Sequence, residues 1–458
     1  MILKGIMPTT DSHETPVYPP GPSSFLPSLV YRPGRNPLEF FSGLVKKYGP
    51  LVHLMAGTEH LYLVTEPRHV RDILVTSQRK FKKGRGVEAI KPMLGDGLLT
   101  SEGQTHLRQR RLTQPAFHKD RIAAYASVMT ECAARATAGW SDGARIDASE
   151  EMTRLTLAVV GKTLFGADVE PLAREVGQAL SAVMQSFWIR MLPFADVIER
   201  LPIPHLRRAK AARATLDRIV YEIIAGRRQS TADRGDLLSM LLLAQDEENH
   251  GRGMTDQQVR DEVMTIFLAG HETTANALAW TWYLVSQSPD VEARLHQELD
   301  RVLAGRAPTV ADIPALGFVE RVVTESMRLY PPAYIVGRRT LEWHRLDEYD
   351  IPPRALVVLS PYLTQRQAAY FPDPERFAPD RWTQEFRARL PQFAYFPFGG
   401  GTRRCIGESF AWMELVLVVS AVAQQWRLQL VPGYVPVQQP AVTLRLKHGL
   451  PMTVHRRI

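Results

Sequence analysis

Cys405 is set in Phe396-Pro-Phe-Gly-Gly-Gly-Thr-Arg-Arg-Cys-Ile-Gly407, directly before a run with helical character. A helix start and the flanking Arg403 and Arg404 both favour a thiolate, so the sulfur is expected to have a lowered pKa. The glycines ahead of it permit close approach of something flat and bulky. They do not make a phosphate cradle. Arg404 stands where the third glycine of G-x-G-x-x-G would fall, and Glu408 rather than Lys follows Gly407. A single thiolate suits a metal whose other ligands come from a cofactor, and haem iron with an axial cysteine is such an arrangement. Cys132, the other of the 2 cysteines, lies in an Ala-rich helical run and reads as an inert core residue.

A second feature sits on the longest predicted helix, Thr255 to Gln287. Thr255 followed by Gln258 has the spacing of a capping box, and Pro289 marks the far end. At 1.5 Å per residue the helix spans about 50 Å, enough to cross the molecule. Val263 to Gly270 is apolar, then His271-Glu272-Thr273-Thr274 interrupts before apolar residues resume. A charge in a buried stretch is costly unless paired or wetted. Two readings are open at this point: a satisfied or outward-facing carboxylate, or a polar notch over a cavity with Gly270 letting something approach the backbone.

The elements that must position these residues are mostly helical. Residues 1–36, with Tyr18-Pro-Pro-Gly-Pro22 at their centre, read as an extended arm rather than a domain. A helix Leu38–Tyr48 leads into two strands, Leu51–Ala56 and Leu61–Thr65, joined at Gly57–His60 as a hairpin. Helical periodicity then runs to about residue 330. From Pro331 to Ala394 short β runs such as Ala355–Leu359 alternate with proline-rich coil. A helix from about Gly407 to Trp426 and strands at Arg427–Val431 and Thr453–Arg456 close the chain. With no internal repeat or linker in its 458 residues, the chain reads as one large, mostly α domain with a minor β part over 37–458.

Composition narrows the classes further. The chain is 45% hydrophobic and 23% charged, which excludes disorder and collagen-like architecture. Its 56 basic and 48 acidic residues give a net charge of +8. The basic residues are dispersed, with no stripe interleaved with aromatics, so no nucleic acid partner is expected. No apolar run reaches the length of a membrane span, and the N-terminus lacks a signal peptide pattern; a cytoplasmic address is the expectation.

Phe398, Gly401, Arg403, Cys405 and Gly407 fill F-x-x-G-x-R-x-C-x-G, and here the chain resembles the cytochrome P450 haem-thiolate family, soluble bacterial type. Ala269-Gly270-His271-Glu272-Thr273-Thr274 is similar to that family's oxygen-activation motif. Glu325-Ser-Met-Arg328 matches its E-x-x-R signature, and Pro374-Glu375-Arg376-Phe377 the segment whose arginine completes a buried triad. The resemblance covers about residues 37–458. It implies the cytochrome P450 fold, with haem b between the long central helix and the cysteine loop.

The resemblance also implies roles. Cys405 is the axial iron ligand. His106, Arg110, Arg338 and Arg403 clamp the two haem propionates, which need cationic or hydrogen-bonding partners. Glu325, Arg328 and Arg376 form a structural triad, the first two sharing a helix face at i,i+3. Gln365 stands where many relatives have His. Thr273 anchors or donates a hydrogen bond near bound dioxygen, with Glu272 as the acidic relay. The implied reaction is insertion of one oxygen atom into a lipophilic small molecule of fatty acid, terpenoid or steroid type. Electrons come from NAD(P)H through a separate ferredoxin or flavodoxin and its reductase, since the chain holds no dinucleotide fingerprint. Gly84–Leu98 and Ser186–His205 are the implied access loops. The alternatives are a peroxide-driven or isomerising haem-thiolate enzyme, which typically lacks the acid–Thr pair, and a haem-based gas sensor or carrier.

Overall fold

The structure, a computed structural model, describes residues 15–22, 36–166, 203–229, 233–244 and 253–457, with parts of 175–190. Helix α1 (Pro37–Tyr48) is capped by Asn36, whose side chain accepts from the Leu38 N–H. It is followed by the hairpin β1 (Leu51–Ala56) and β2 (Glu59–Val64), which turns at Gly57. Strand β3 (Phe81–Lys83) leads into α2 (Arg85–Leu94), then a loop, then α3 (Gly103–Thr113). The segment 84–98, implied to be an access loop, is therefore helical over most of its length. The other, 186–205, falls largely outside the described residues, as does most of the arm 1–36. Within that arm residues 15–22 are tied to the domain: the Val17 carbonyl accepts from the Asp350 N–H, the Val17 N–H donates to the Asp350 carboxylate, and the Pro20 carbonyl accepts from the His53 N–H.

Helix α4 (Ala148–Phe165) crosses α5 (Asp256–Ser286), the long central helix. Both halves of the Thr255–Gln258 capping box are formed. Most of α5 is buried on all sides, which is why no amphipathic stripe marks it. Helix α6 (Gly317–Leu329) carries the E-x-x-R residues. Strands β4 (Val336–Thr340) and β5 (Leu356–Leu359) complete a five-stranded sheet in the order β1-β2-β5-β4-β3. Only the β2–β5 pair is parallel, with Leu61 opposite Leu356. Helix α7 (Glu408–Gln425) begins at the cysteine loop, and the hairpin β6 (Gln438–Pro440) and β7 (Leu444–Leu446) folds back onto α5. The final strands, Trp426–Leu430 and Pro451–Arg456, pair antiparallel. One large hydrophobic core joins α4, α5, α6 and α7. Among the described residues no helix is long and apolar enough to cross a membrane.

Candidate active site

The cysteine loop is held by its backbone. The Cys405 N–H donates to the Phe398 carbonyl at 3.0 Å, and Arg404 N–H to Gly401 at 3.1 Å. Gly401 has φ +68° and lies against Leu74, whose carbonyl oxygen would be 1.8 Å from an added Cβ. No other residue type fits there. Cys405 is surrounded by protein, yet part of its surface is exposed. Burial pushes its thiol up to about 11, contrary to the sequence expectation. The Gly407 N–H, Arg110 and Arg404 act the other way and Glu408 opposes them. Desolvation prevails because the cations are occupied: Arg404 is 59% exposed and paired with Glu408 at 2.5 Å, and Arg110 donates to the Arg404 carbonyl at 2.8 Å. A metal removes that proton outright on coordination.

On α5 the polar notch has two faces. Ala269, Gly270 and Thr273 are open, while the residues beside them are buried. The Thr273 hydroxyl donates to the Ala269 carbonyl at 2.6 Å, so its lone pairs are left for the cavity. Glu272 turns away. Its carboxylate meets Arg445 Nε at 2.8 Å and accepts from the Thr443 hydroxyl, both on the β6–β7 hairpin. Burial acts to raise its pKa, but Arg445 and Thr443 hold it below the usual carboxylate range. The close approach at Gly270 is made by Val160 of α4, 3.0 Å from where a Cβ would lie. The Glu272 carboxylate is thus satisfied by the hairpin, and the approach at Gly270 is packing against α4.

A third group gathers where β3, β4, α3 and the cysteine loop meet. Strand pairing sets Lys83 opposite Arg338, and Glu102, His106 and Arg403 complete the cluster. Glu102 accepts from the Lys83 N–H at 2.5 Å and from Arg403 Nη2 at 2.6 Å. Burial, then the neighbouring cations, push His106 down to about 4, Lys83 to about 7 and Arg338 to about 10. Arg403 Nε is buried without a hydrogen-bond partner. Excess buried cations and an orphaned donor fit an anionic ligand such as a pair of propionates. Of the four residues implied for that role, His106, Arg338 and Arg403 are brought together, and Arg110 borders them on the Cys405 side. Lys83 joins them without any local motif to announce it.

Behind the loop, Glu325 and Arg328 form a two-pronged pair at 2.8 and 2.9 Å, both without exposure. The third member of the triad is Arg381, not Arg376. Arg381 Nε reaches Glu325 at 2.8 Å, and the Trp382 indole and the Ala378 N–H also donate to it. Arg376 is exposed and contributes its backbone carbonyl to Arg328 at 3.1 Å. The chain turns at Asp373–Arg376, which carries the Arg376 side chain outward while the next turn brings Arg381 in. A usable signal exists in Pro379-Asp380-Arg381-Trp382, which repeats the Pro-x-Arg-aromatic order five residues on. Gln365 donates to the Met327 and Arg328 carbonyls and accepts from the Phe396 N–H, tying this network to the start of the cysteine loop.

This arrangement of buried thiol, open threonine notch and cationic socket agrees with three comparisons. The family profile described as Cytochrome P450 matches residues 16–451. Cyclooctatin synthase from Streptomyces melanosporofaciens is 42% identical over 413 residues, covering 90% of this chain and 89% of that protein. Cyclooctat-9-en-7-ol 5-monooxygenase of the same organism is 38% identical (87% and 86% covered). Pentalenene oxygenase from Streptomyces avermitilis is 36% identical (87% and 88% covered). The crystal structure of the cytochrome P450DA heme domain superposes with a TM-score of 0.87 at 28% identity, covering 97% of this chain and 99% of that one. The chain belongs to the cytochrome P450 family. Its cofactor is haem b, and it is an oxidoreductase that incorporates molecular oxygen.

Two outcomes check the residue assignments. Arg381→Ala removes a buried partner of Glu325 and should cost about 3 kcal/mol in denaturant-induced unfolding, whereas Arg376→Ala should stay within about 0.5 kcal/mol. Equal effects would return the third position to Arg376. In wild type the reduced carbon monoxide complex should show the red-shifted Soret band of thiolate ligation, and Cys405→Ala should abolish it; a band that survives the substitution excludes Cys405 as ligand.

Proposed function

We propose that this chain inserts one oxygen atom from O2 into a lipophilic small molecule of terpenoid type. The reaction draws electrons from NAD(P)H through a separate ferredoxin or flavodoxin and its reductase, in the cytoplasm. The observation that carries the reading is the partly open Thr273 hydroxyl on an otherwise buried helix, in a chain whose Cys405 is also exposed. The named activities of the relatives on cyclooctat-9-en-7-ol and pentalenene support a terpenoid rather than a fatty acid.

Haem, when bound through Cys405, supplies the iron chemistry that activates dioxygen. The chain's own contribution is positional. Cys405 Sγ would hold the iron of that group as its thiolate ligand. Thr273 Oγ1, already donating to Ala269, offers lone pairs that hold a proton or a water at the cavity wall. Glu272 is ionised and paired with Arg445, so it takes up and passes a proton only as that pair loosens. Ala269 and Gly270 beside Thr273 add little bulk, which leaves room for a bulky hydrocarbon.

The electron donor is read from charge. Arg404 is exposed beside Cys405, and the chain carries a net +8. An acidic donor would be steered to such a face through a small, transient interface.

Thr273→Ala should keep haem and substrate binding but divert reducing equivalents to peroxide, lowering product formed per NAD(P)H consumed by about 10²-fold, the low end of what a positioned proton donor contributes. Full coupling in the variant would move the proton relay elsewhere. The second-order rate of reduction by an acidic ferredoxin should fall steadily as ionic strength rises and the Debye length shrinks from about 10 Å at 0.1 M salt to about 3 Å at 1 M. A flat or rising rate would exclude electrostatic docking.

A further inference from the structure

Lys83 and Arg338 face each other across the antiparallel β3–β4 pair, and both are buried. Like charges directly opposite on a sheet are destabilising, and burial multiplies the cost because water cannot screen them. Arg403 enters the same space from the cysteine loop, adding a third cation. His106, on α3, is held neutral at about 4 by burial and by these neighbours, so it adds no charge near pH 7.

One carboxylate stands among them. Glu102 caps the start of α3, and its two oxygens are divided: Oε1 takes the Lys83 N–H at 2.5 Å and Oε2 takes Arg403 Nη2 at 2.6 Å. The Lys83 ammonium is turned to the Leu98 and Ser101 carbonyls at 2.9 and 2.6 Å. The other carboxyl near Lys83 is Glu262 on α5, which accepts from the Leu98 N–H at 3.0 Å. Burial raises it to about 7, so it carries only part of a charge near neutrality. Glu102 itself is held below the usual carboxylate range, because the Lys83 N–H and Arg403 outweigh the cost of burial.

We propose that Glu102 is a positioning residue for the haem socket. It orients Arg403 and offsets one unit of the positive charge that Lys83, Arg338 and Arg403 bring together, leaving a cationic socket for two propionates. The proposal rests on the haem-thiolate reading above. Without Glu102, the cluster would be more positive with both propionates in place, and Arg403 would lose the contact that fixes its fork. An extra positive charge beside a redox centre favours the electron-richer state.

The test is the reduction potential of the haem-loaded protein. Glu102→Gln removes the charge and keeps the shape; Glu102→Asp keeps the charge; Glu342→Gln removes an exposed charge paired with Lys80. The expected result is an upward shift in Glu102→Gln, with Glu102→Asp and Glu342→Gln at the wild-type potential. An unchanged or lowered potential in Glu102→Gln overturns the proposal, as does an equal shift in Glu102→Asp or Glu342→Gln. If Glu102→Gln folds, by circular dichroism, but does not retain haem, Glu102→Asp decides: haem held at the wild-type potential supports the role, and haem lost from both overturns it. Failure of wild type to show the thiolate haem band would instead overturn the reading on which the proposal rests.

Discussion

The Glu325 carboxylate has no water around it, so every donor that stabilises its charge must come from the chain. Five donors from two segments meet that demand: Arg328 Nε and Nη2, Arg381 Nε, the Trp382 indole and the Ala378 N–H. Arg328 in turn has donors to satisfy, and takes the carbonyls of Gln365, Pro374 and Arg376. The burial of one charge thereby dictates the path of residues 365–382, none of which has regular structure enough to hold itself. Gln365 passes the constraint to Phe396, where the cysteine loop begins. Cys405 is presented by a loop whose base cannot shift without leaving Glu325 or Arg328 unsatisfied.

On the other side of that loop the charge problem has the opposite sign. Lys83, Arg338 and Arg403 are brought together by strand pairing and by the loop, with Glu102 between them. Taken alone the cluster opposes folding, since burial and the neighbouring cations press Lys83 and Arg338 towards their neutral forms. A fold that keeps such a cluster has a ligand to receive, because an anionic partner converts the repulsion into binding. The Cys405 thiol follows the same logic: burial disfavours its charge until a metal replaces the proton. Cofactor and protein are complementary in charge at two points.

The central helix separates these electrostatic tasks from the cavity. Two hydroxyls of the notch bond to their own helix, Thr273 to Ala269 and Thr274 to Gly270, and need no distant partner. Glu272 instead takes distant partners, Arg445 and Thr443 of the β6–β7 hairpin. That hairpin is fastened to α5 by Trp280 and Asn276 as well, through Leu444 and Thr443. The acid and the alcohol of the notch therefore belong to different surroundings, one locked to a hairpin and the other open.

What was legible in the amino-acid sequence was local. The capping box at Thr255, the strand Leu51–Ala56, the Cys405 loop with its glycines and the i,i+3 pair Glu325–Arg328 all involve residues within a few positions of one another. Short-range sterics and hydrogen bonding determine such features, and the family resemblance rests on them. Tertiary structure decided what joins residues distant in the chain. It chose Arg381 over Arg376, because a turn points one side chain in and the other out. It set Lys83 opposite Arg338 and Glu102 against Arg403, and gave Glu272 its partner Arg445, 173 residues away. It also reversed the expected direction at Cys405. A helix start and two arginines are visible in a sequence, but desolvation is a property of everything packed around the sulfur, and that is known only once the chain has folded.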